Sequence, residues 1–309
     1  MRINHQHSRA LSPIILGLIT FITGILMNIP VMYSDNVTLA GKIITPFFFV
    51  LMAILATMAA RSIGIFKNNN LITSFFLFLF GGVTGYSTGY WQGFVVAVLL
   101  FYAWYSTITE HRRRGHEWNA IDASICICLA SLFNIYILIM IPIIMIGLAI
   151  YGRLNSRTTL AILLGAAMIY GCLWSVAFVL GNDCELLSYL QSVAVWKTID
   201  ELRFIDMIIY GMIAINIIVS YILFITQHYN DNPLFIRKTM QFTYLTLLGA
   251  AITAVVSGRI GILITFICVM TAIILTRRTD SLRKTAGVIL LYTTTAILIL
   301  LFIAKNFLI

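Results

Sequence analysis

Charge is what this sequence has least of. Only 10% of its 309 residues are Asp, Glu, Lys or Arg, where a soluble domain carries roughly 25%. With 61% hydrophobic residues, too little polar surface remains to clothe a water-soluble core. Acids are scarcer than bases, 11 against 20, for a net charge of +9. The cations lie in short stretches between apolar runs, with no basic patch on a soluble face, and this excludes nucleic acid as the partner. Of the five cysteines, Cys126, Cys128, Cys172 and Cys268 sit inside apolar runs and only Cys184 in a polar stretch. No disulfide framework and no CxxC pair can be drawn from them. The histidines at 5, 7, 111, 116 and 228 lie in polar stretches without an HExxH pattern, so no metal site is expected. No nucleotide-binding loop occurs, and no cofactor is expected.

What fills the chain instead is long apolar segments. A helix crosses a bilayer with about 20 apolar residues. The sequence predicts an all-α polytopic transmembrane bundle of about 11 spans (range 9–11), at 11–27, 43–60, 71–86, 87–108, 119–134, 135–151, 158–180, 204–227, 239–257, 260–276 and 285–304. The stretch 71–108 is too long for one crossing and is divided at Gly85 and Gly89, and 119–151 is divided near Asn134. Arg2 and Arg9 precede the first run, but no small-x-small cleavage site follows, so that run reads as an uncleaved span. With the N-terminus in the cytoplasm, 15 of the 20 cations fall on the cytoplasmic side, the bias that sets orientation. The division of 119–151 matters here: a single crossing would put Arg112–Arg114 and Arg153 on opposite faces. The whole chain, 1–309, reads as one integral membrane domain, with 181–203 as an amphipathic segment on the outer surface.

Few residues stand out as carriers of chemistry. Asp122 is the acid deepest in a predicted span, where an ionised carboxylate is costly and marks a functional candidate. The plainer reading makes Asn119 the N-cap of that helix and Asp122 a first-turn acid on the positive end of its dipole. Arg112, Arg113 and Arg114 form the densest basic cluster, suited to lipid phosphates on the cytoplasmic face or simply to fixing orientation. Gly85, Gly89 and Gly93 recur every four residues and suit close helix packing, with Tyr86, Tyr90 and Trp91 as an interfacial belt. The alternative for those rings is stacking on a sugar or lipid head. On the outer side, Asp35, Asp200, Glu201 and Arg259 are the candidates for a base and a phosphate clamp on a lipid-linked substrate.

One stretch carries a resemblance. Asp122-Ala123-Ser124 and Ala130-Ser131-Leu132-Phe133, following a basic loop, resemble the helix pair of an uncharacterised family of bacterial multi-spanning inner-membrane proteins. Phe235-Ile236-Arg237-Lys238-Thr239 is similar as well, and the likeness covers most of the chain. Ile121 stands where the family has an aromatic and Asn134 where it has histidine. The resemblance implies a multi-pass protein of the bacterial inner membrane and brings no activity. The same helix pair is also similar, at the level of fold alone, to sugar-polymerising and lipid-linked glycosyltransferase membrane enzymes.

Three functions follow in order. The first is a non-enzymatic envelope component or partner subunit, in contact with membrane lipids and another membrane protein. The second is an outer-face enzyme on a lipid-linked sugar or phosphate, which requires the outer carboxylates and Arg259 to gather at one cavity. The third is a small-molecule or lipid transporter, which requires ionisable groups at mid-membrane, and only Asp122 and Asp206 approach that.

Overall fold

A computed structural model of the chain describes residues 39–65, 91–109, 115–180, 204–228, 233–258, 260–281 and 297. Among them the protein is all-helical: α1 (Leu39–Ser62), α2 (Trp91–Ile108), α3 (His116–Ser131), α4 (Met140–Ile150), α5 (Ser156–Val179), α6 (Phe204–Leu223), α7 (Leu234–Ser257) and α8 (Ile260–Ser281). A 3₁₀ turn at Ile135–Ile139 leads into α4. The chain forms two compact units. One takes its described residues from α1, α6 and the last turns of α8. The other takes them from α2, α3, α4, α5, α7 and the first part of α8.

The second unit is built on two close helix pairs. α3 and α5 run parallel, and small residues let them approach: Ala120, Ser124 and Cys128 on one, Ala161 and Gly165 on the other, all buried except for part of the α5 surface beyond. A Cβ at Gly165 would overlap the Ser124 hydroxyl and lie 3.0 Å from the Ile121 carbonyl. One turn pair further along, the Ser131 hydroxyl meets the Tyr170 hydroxyl at 2.6 Å. The second pair, α4 and α7, runs antiparallel with reciprocal notches. The Phe242 ring of α7 lies on Gly147 of α4, and Ile143 of α4 fills the space at Gly249 of α7. At the start of α2, Gly93 brings the backbone against α8, where an added Cβ would sit 3.0 Å from the Gly261 carbonyl. Close packing was the expectation for the glycine series; Gly85 and Gly89 lie outside the described residues.

Local chemistry sets the helix ends. Asn155 caps α5 by a capping box, its side chain accepting from Thr158 N and its own N–H donating to Thr158 Oγ1, both at 2.8 Å. α4 ends in a Schellman motif: Gly152, at φ 71°, donates to Ala149 O and Arg153 N donates to Leu148 O. α1 ends the same way at Gly64, φ 76°, with Ile65 N donating to Ala60 O. In that first unit the Arg277 guanidinium, buried near the end of α8, donates to the Ile65 carbonyl at 2.7 Å. Its neighbour Arg278 donates to Ser220 Oγ of α6 at 3.2 Å.

Two expectations need correction. About eleven spans are not supported. Among the described residues three helices are long and apolar enough to cross a membrane, Ser156–Val179, Leu234–Ser257 and Ile260–Arg278. The spans 11–27 and 71–86, and 285–304 apart from residue 297, lie outside the described residues. The predicted spans 119–134 and 135–151 become α3, of 16 residues, and a 3₁₀ turn plus α4, of five and 11. At 1.5 Å per residue α3 is about 24 Å long, less than the roughly 30 Å of a bilayer core. Hydropathy also counts apolar residues alike whether protein or lipid covers them, and 83% of the α8 window is buried in protein. The second correction concerns Asn119. α3 begins a turn earlier, at His116 behind Gly115, so Asn119 is a buried helical residue and not the N-cap. Asp122 therefore lies in the second turn, half-buried, beyond the reach of the first-turn dipole argument.

Because a Cβ at 165 meets backbone on α3, Gly165→Ala is expected to destabilise by about 1–3 kcal/mol, the usual cost of overpacking. Gly171, six residues on, faces open space, and Gly171→Ala is expected to be neutral or stabilising by up to about 1 kcal/mol. Thermal unfolding of the detergent-solubilised pair measures the contrast. Equal midpoints would show that α3 and α5 are not packed this tightly.

Candidate functional site: a cationic helix end

At one end of the second unit five elements meet. The last carbonyls of a helix have no partner within it, and where they are buried each must find one. At the end of α2 those carbonyls belong to Thr107, Ile108 and Thr109. Arg153, one residue past the Schellman glycine of α4, donates through Nη1 to Thr107 O at 3.2 Å and to Ile108 O at 3.3 Å. Asn119 of α3 donates its side-chain amide to Thr109 O at 2.6 Å. A guanidinium at a helix C-terminus also opposes the negative end of the dipole.

The same arginine is held from below by an aromatic. Its guanidinium carbon stands 5.0 Å from the centroid of Tyr151, a cation–π geometry. Tyr151 in turn joins α7: its hydroxyl donates to Thr239 Oγ1 at 2.9 Å, and its ring lies 6.1 Å from Phe235 and edge-on to Phe242 at 6.4 Å. Thr239 donates onward to its own helix, at Phe235 O. The end of α2, the start of α3, the end of α4, the start of α5 and the start of α7 thus share one level.

That level is cationic. Arg157 is exposed in the first turn of α5, and Arg237 and Lys238 are part-exposed in the first turns of α7. Glu117 is the one acid among the described residues of these turns. Arg112, Arg113 and Arg114 lie outside the described residues, in the sequence between Thr109 and Gly115, both of which belong to this end. The expectation that Arg112–Arg114 and Arg153 share a side rested on 119–151 turning back. The chain does turn back: Asn134, extended at φ −159°, breaks the helix and accepts from Tyr136 N, and Arg153 returns to α2. Sequence reasoning missed Arg153 and Tyr151 as the joint of this end. The Gly152-Arg153 pair after an apolar run was the signal available for it.

The remaining predicted site residues fall elsewhere in the chain. Asp35, Asp200, Glu201 and Arg259 lie outside the described residues, as does the segment 181–203. Among the described residues no group of three His, Cys, Asp or Glu side chains is placed to hold a metal ion. Cys126, Cys128, Cys172 and Cys268 are in no disulfide. Several buried hydroxyls face their own backbone: Thr243 bonds Thr239 O, Thr246 bonds Phe242 O, Thr253 bonds Gly249 O and Thr107 bonds Ala103 O. Such i−4 bonds satisfy a hydroxyl in place without presenting it to a ligand. No protein-family model, no curated protein and no solved structure matches the chain.

Arg153→Gln removes the charge from the Thr107 and Ile108 carbonyls and the cation from the Tyr151 ring. A loss of about 1.5–3 kcal/mol is expected, the usual worth of a hydrogen bond to a charged group. Arg153→Lys keeps the charge without the planar fork and is expected to recover part of it. Unfolding midpoints of the three proteins in one detergent test this, and a Gln variant as stable as the parent would remove Arg153 from its place as the joint.

Proposed function

We propose that the chain is a multi-pass protein of a bacterial inner membrane that acts as a non-enzymatic component or partner subunit, with its cationic end in the cytoplasm. The observation that carries this reading is α5. It is long and apolar enough to cross a bilayer, yet only 17% of its apolar window is buried in the protein, against 61% in α7. Leu160, Leu163, Leu164, Met168, Trp174 and Phe178 are all at least half exposed along it. Twenty-four residues of such surface cannot face water without a cost of several kcal/mol. Lipid or the helix of another membrane protein covers it in this reading.

The non-enzymatic part rests on the buried hydroxyls of α2 and α7, which bond their own backbone. The cytoplasmic assignment rests on Arg153, Arg157, Arg237 and Lys238 sharing one end, since Lys and Arg are retained on that side. The short α3–α4 hairpin enters the bilayer from that end and returns to it in this reading, without a full crossing.

Single cysteines in a cysteine-free background test the topology. Arg157→Cys is expected to react with a membrane-impermeant maleimide only in inverted vesicles, and Val179→Cys, 82% exposed at the far end of α5, only in right-side-out cells. Labelling of both from one side would end the crossing assigned to α5. A photo-crosslinker at Leu164 or Met168 then addresses the partner. One discrete protein adduct in native membranes is expected, and lipid adducts alone would argue against a partner subunit.

A further inference from the structure

The cationic end of the second unit carries exposed apolar side chains at the same level as its charges. Trp118 in the first turn of α3 is 55% exposed, and Leu234 and Phe235 at the start of α7 are 60% and 41% exposed. Arg157, Arg237 and Lys238 stand in the first turns of the neighbouring helix starts. The two sets are held in one layer by Arg153 on the end of α2 and by Tyr151 on Thr239 and Phe235. Water alone accounts for the cations but not for an exposed indole and phenyl beside them. An inorganic anion accounts for neither ring. A layer of phosphate headgroups over acyl chains accounts for both, since guanidinium and ammonium pair with phosphate while rings and leucine enter the boundary below. α7 opens behind Pro233 without a side-chain cap, so its first-turn amides add to the same positive level.

We propose that this end of the second unit binds the phosphate headgroups of acidic phospholipids, with Arg157, Arg237 and Lys238 supplying the charge and Trp118, Leu234 and Phe235 the apolar seat. The proposal rests on the membrane reading above and adds a lipid class to it. A preference for acidic over zwitterionic lipid follows from the charge, and retention of a headgroup over a free anion follows from the seat.

Two measurements on the full chain separate this proposal from the reading beneath it. Release of the protein from membranes by alkaline carbonate would overturn the membrane reading and this proposal with it. If the protein is retained, its thermal midpoint in dodecyl maltoside is titrated with phosphatidylglycerol, phosphatidylcholine and inorganic phosphate. Phosphatidylglycerol is expected to stabilise at far lower mole fraction than phosphatidylcholine, and phosphate to have no effect. R157Q is expected to weaken the phosphatidylglycerol effect roughly fivefold, the contribution of one cation near a lipid surface, and R157Q/R237Q/K238Q about a hundredfold. The midpoint of each variant in phosphatidylcholine reports folding, and Arg157, being exposed, leaves it unchanged. Equal stabilisation by the two lipids, or a triple variant that keeps the parent's preference, overturns the proposal and leaves the membrane reading standing. Stabilisation by phosphate alone, lost in the triple variant, marks a free-anion site and overturns the headgroup assignment.

Discussion

Where the backbone carbonyls go at the end of α2 governs the organisation of the second unit. A helix that stops inside the protein, as α2 does at the buried Thr107 and Ile108, hides its last carbonyls from water, and each one left unmet costs free energy comparable to a lost hydrogen bond. Here Arg153 and Asn119 meet three of them in succession. Those two residues come from different elements, so satisfying one helix end ties α3 and α4 to it. Arg153 can do this only because Gly152 turns the chain left-handed at the end of α4. Tyr151 beneath it then joins the start of α7. One local demand, for hydrogen-bond donors at a helix end, thereby gathers five elements.

Away from that end, the unit holds together by close backbone approach, with few polar links between helices. Gly165 against Ser124, and Gly147 and Gly249 against Phe242 and Ile143, put side chains of one helix directly on the backbone of the next. Hydroxyls in these seams bond their own helices, as at Thr243 and Thr246. Ser131 and Tyr170 instead pair across helices and join α3 to α5 far from the cationic end. Packing of this kind suits an environment in which lipid covers apolar surface about as well as protein does, so that contact area and shape decide association.

The grouping of some cations was legible from charge alone. Counting Lys and Arg along the apolar runs placed Arg153, Arg157, Arg237 and Lys238 on one side, and the elements that carry them do share one end. The break at Asn134 was legible too, because an uninterrupted 119–151 would have separated the arginines. Helix depth was not legible. Windows of apolar residues could not tell α3 and α4, which are short arms packed in protein, from full spans. Nor could they separate α8, mostly buried, from α5, mostly exposed, although both are continuous and apolar. The Asn119 cap failed for a related reason: a cap is recognised where polar sequence gives way to apolar, and α3 starts a turn before that point, at Gly115. The candidate carboxylates Asp35, Asp200 and Glu201, and Arg259, were legible as residue types only.

By itself the sequence determined that this chain is helical and apolar, and that Arg153, Arg157, Arg237 and Lys238 belong together, because hydropathy and charge are sums over neighbouring residues. Only the tertiary structure decided which apolar faces are covered by protein and which are left bare on α5. It alone decided that Arg153 closes the end of α2, and that Trp118, Arg157 and Phe235 share one layer. Those are relations between residues tens of positions apart, set by how glycines let helices approach and by which side chain reaches an unmet carbonyl, and no local pattern encodes them.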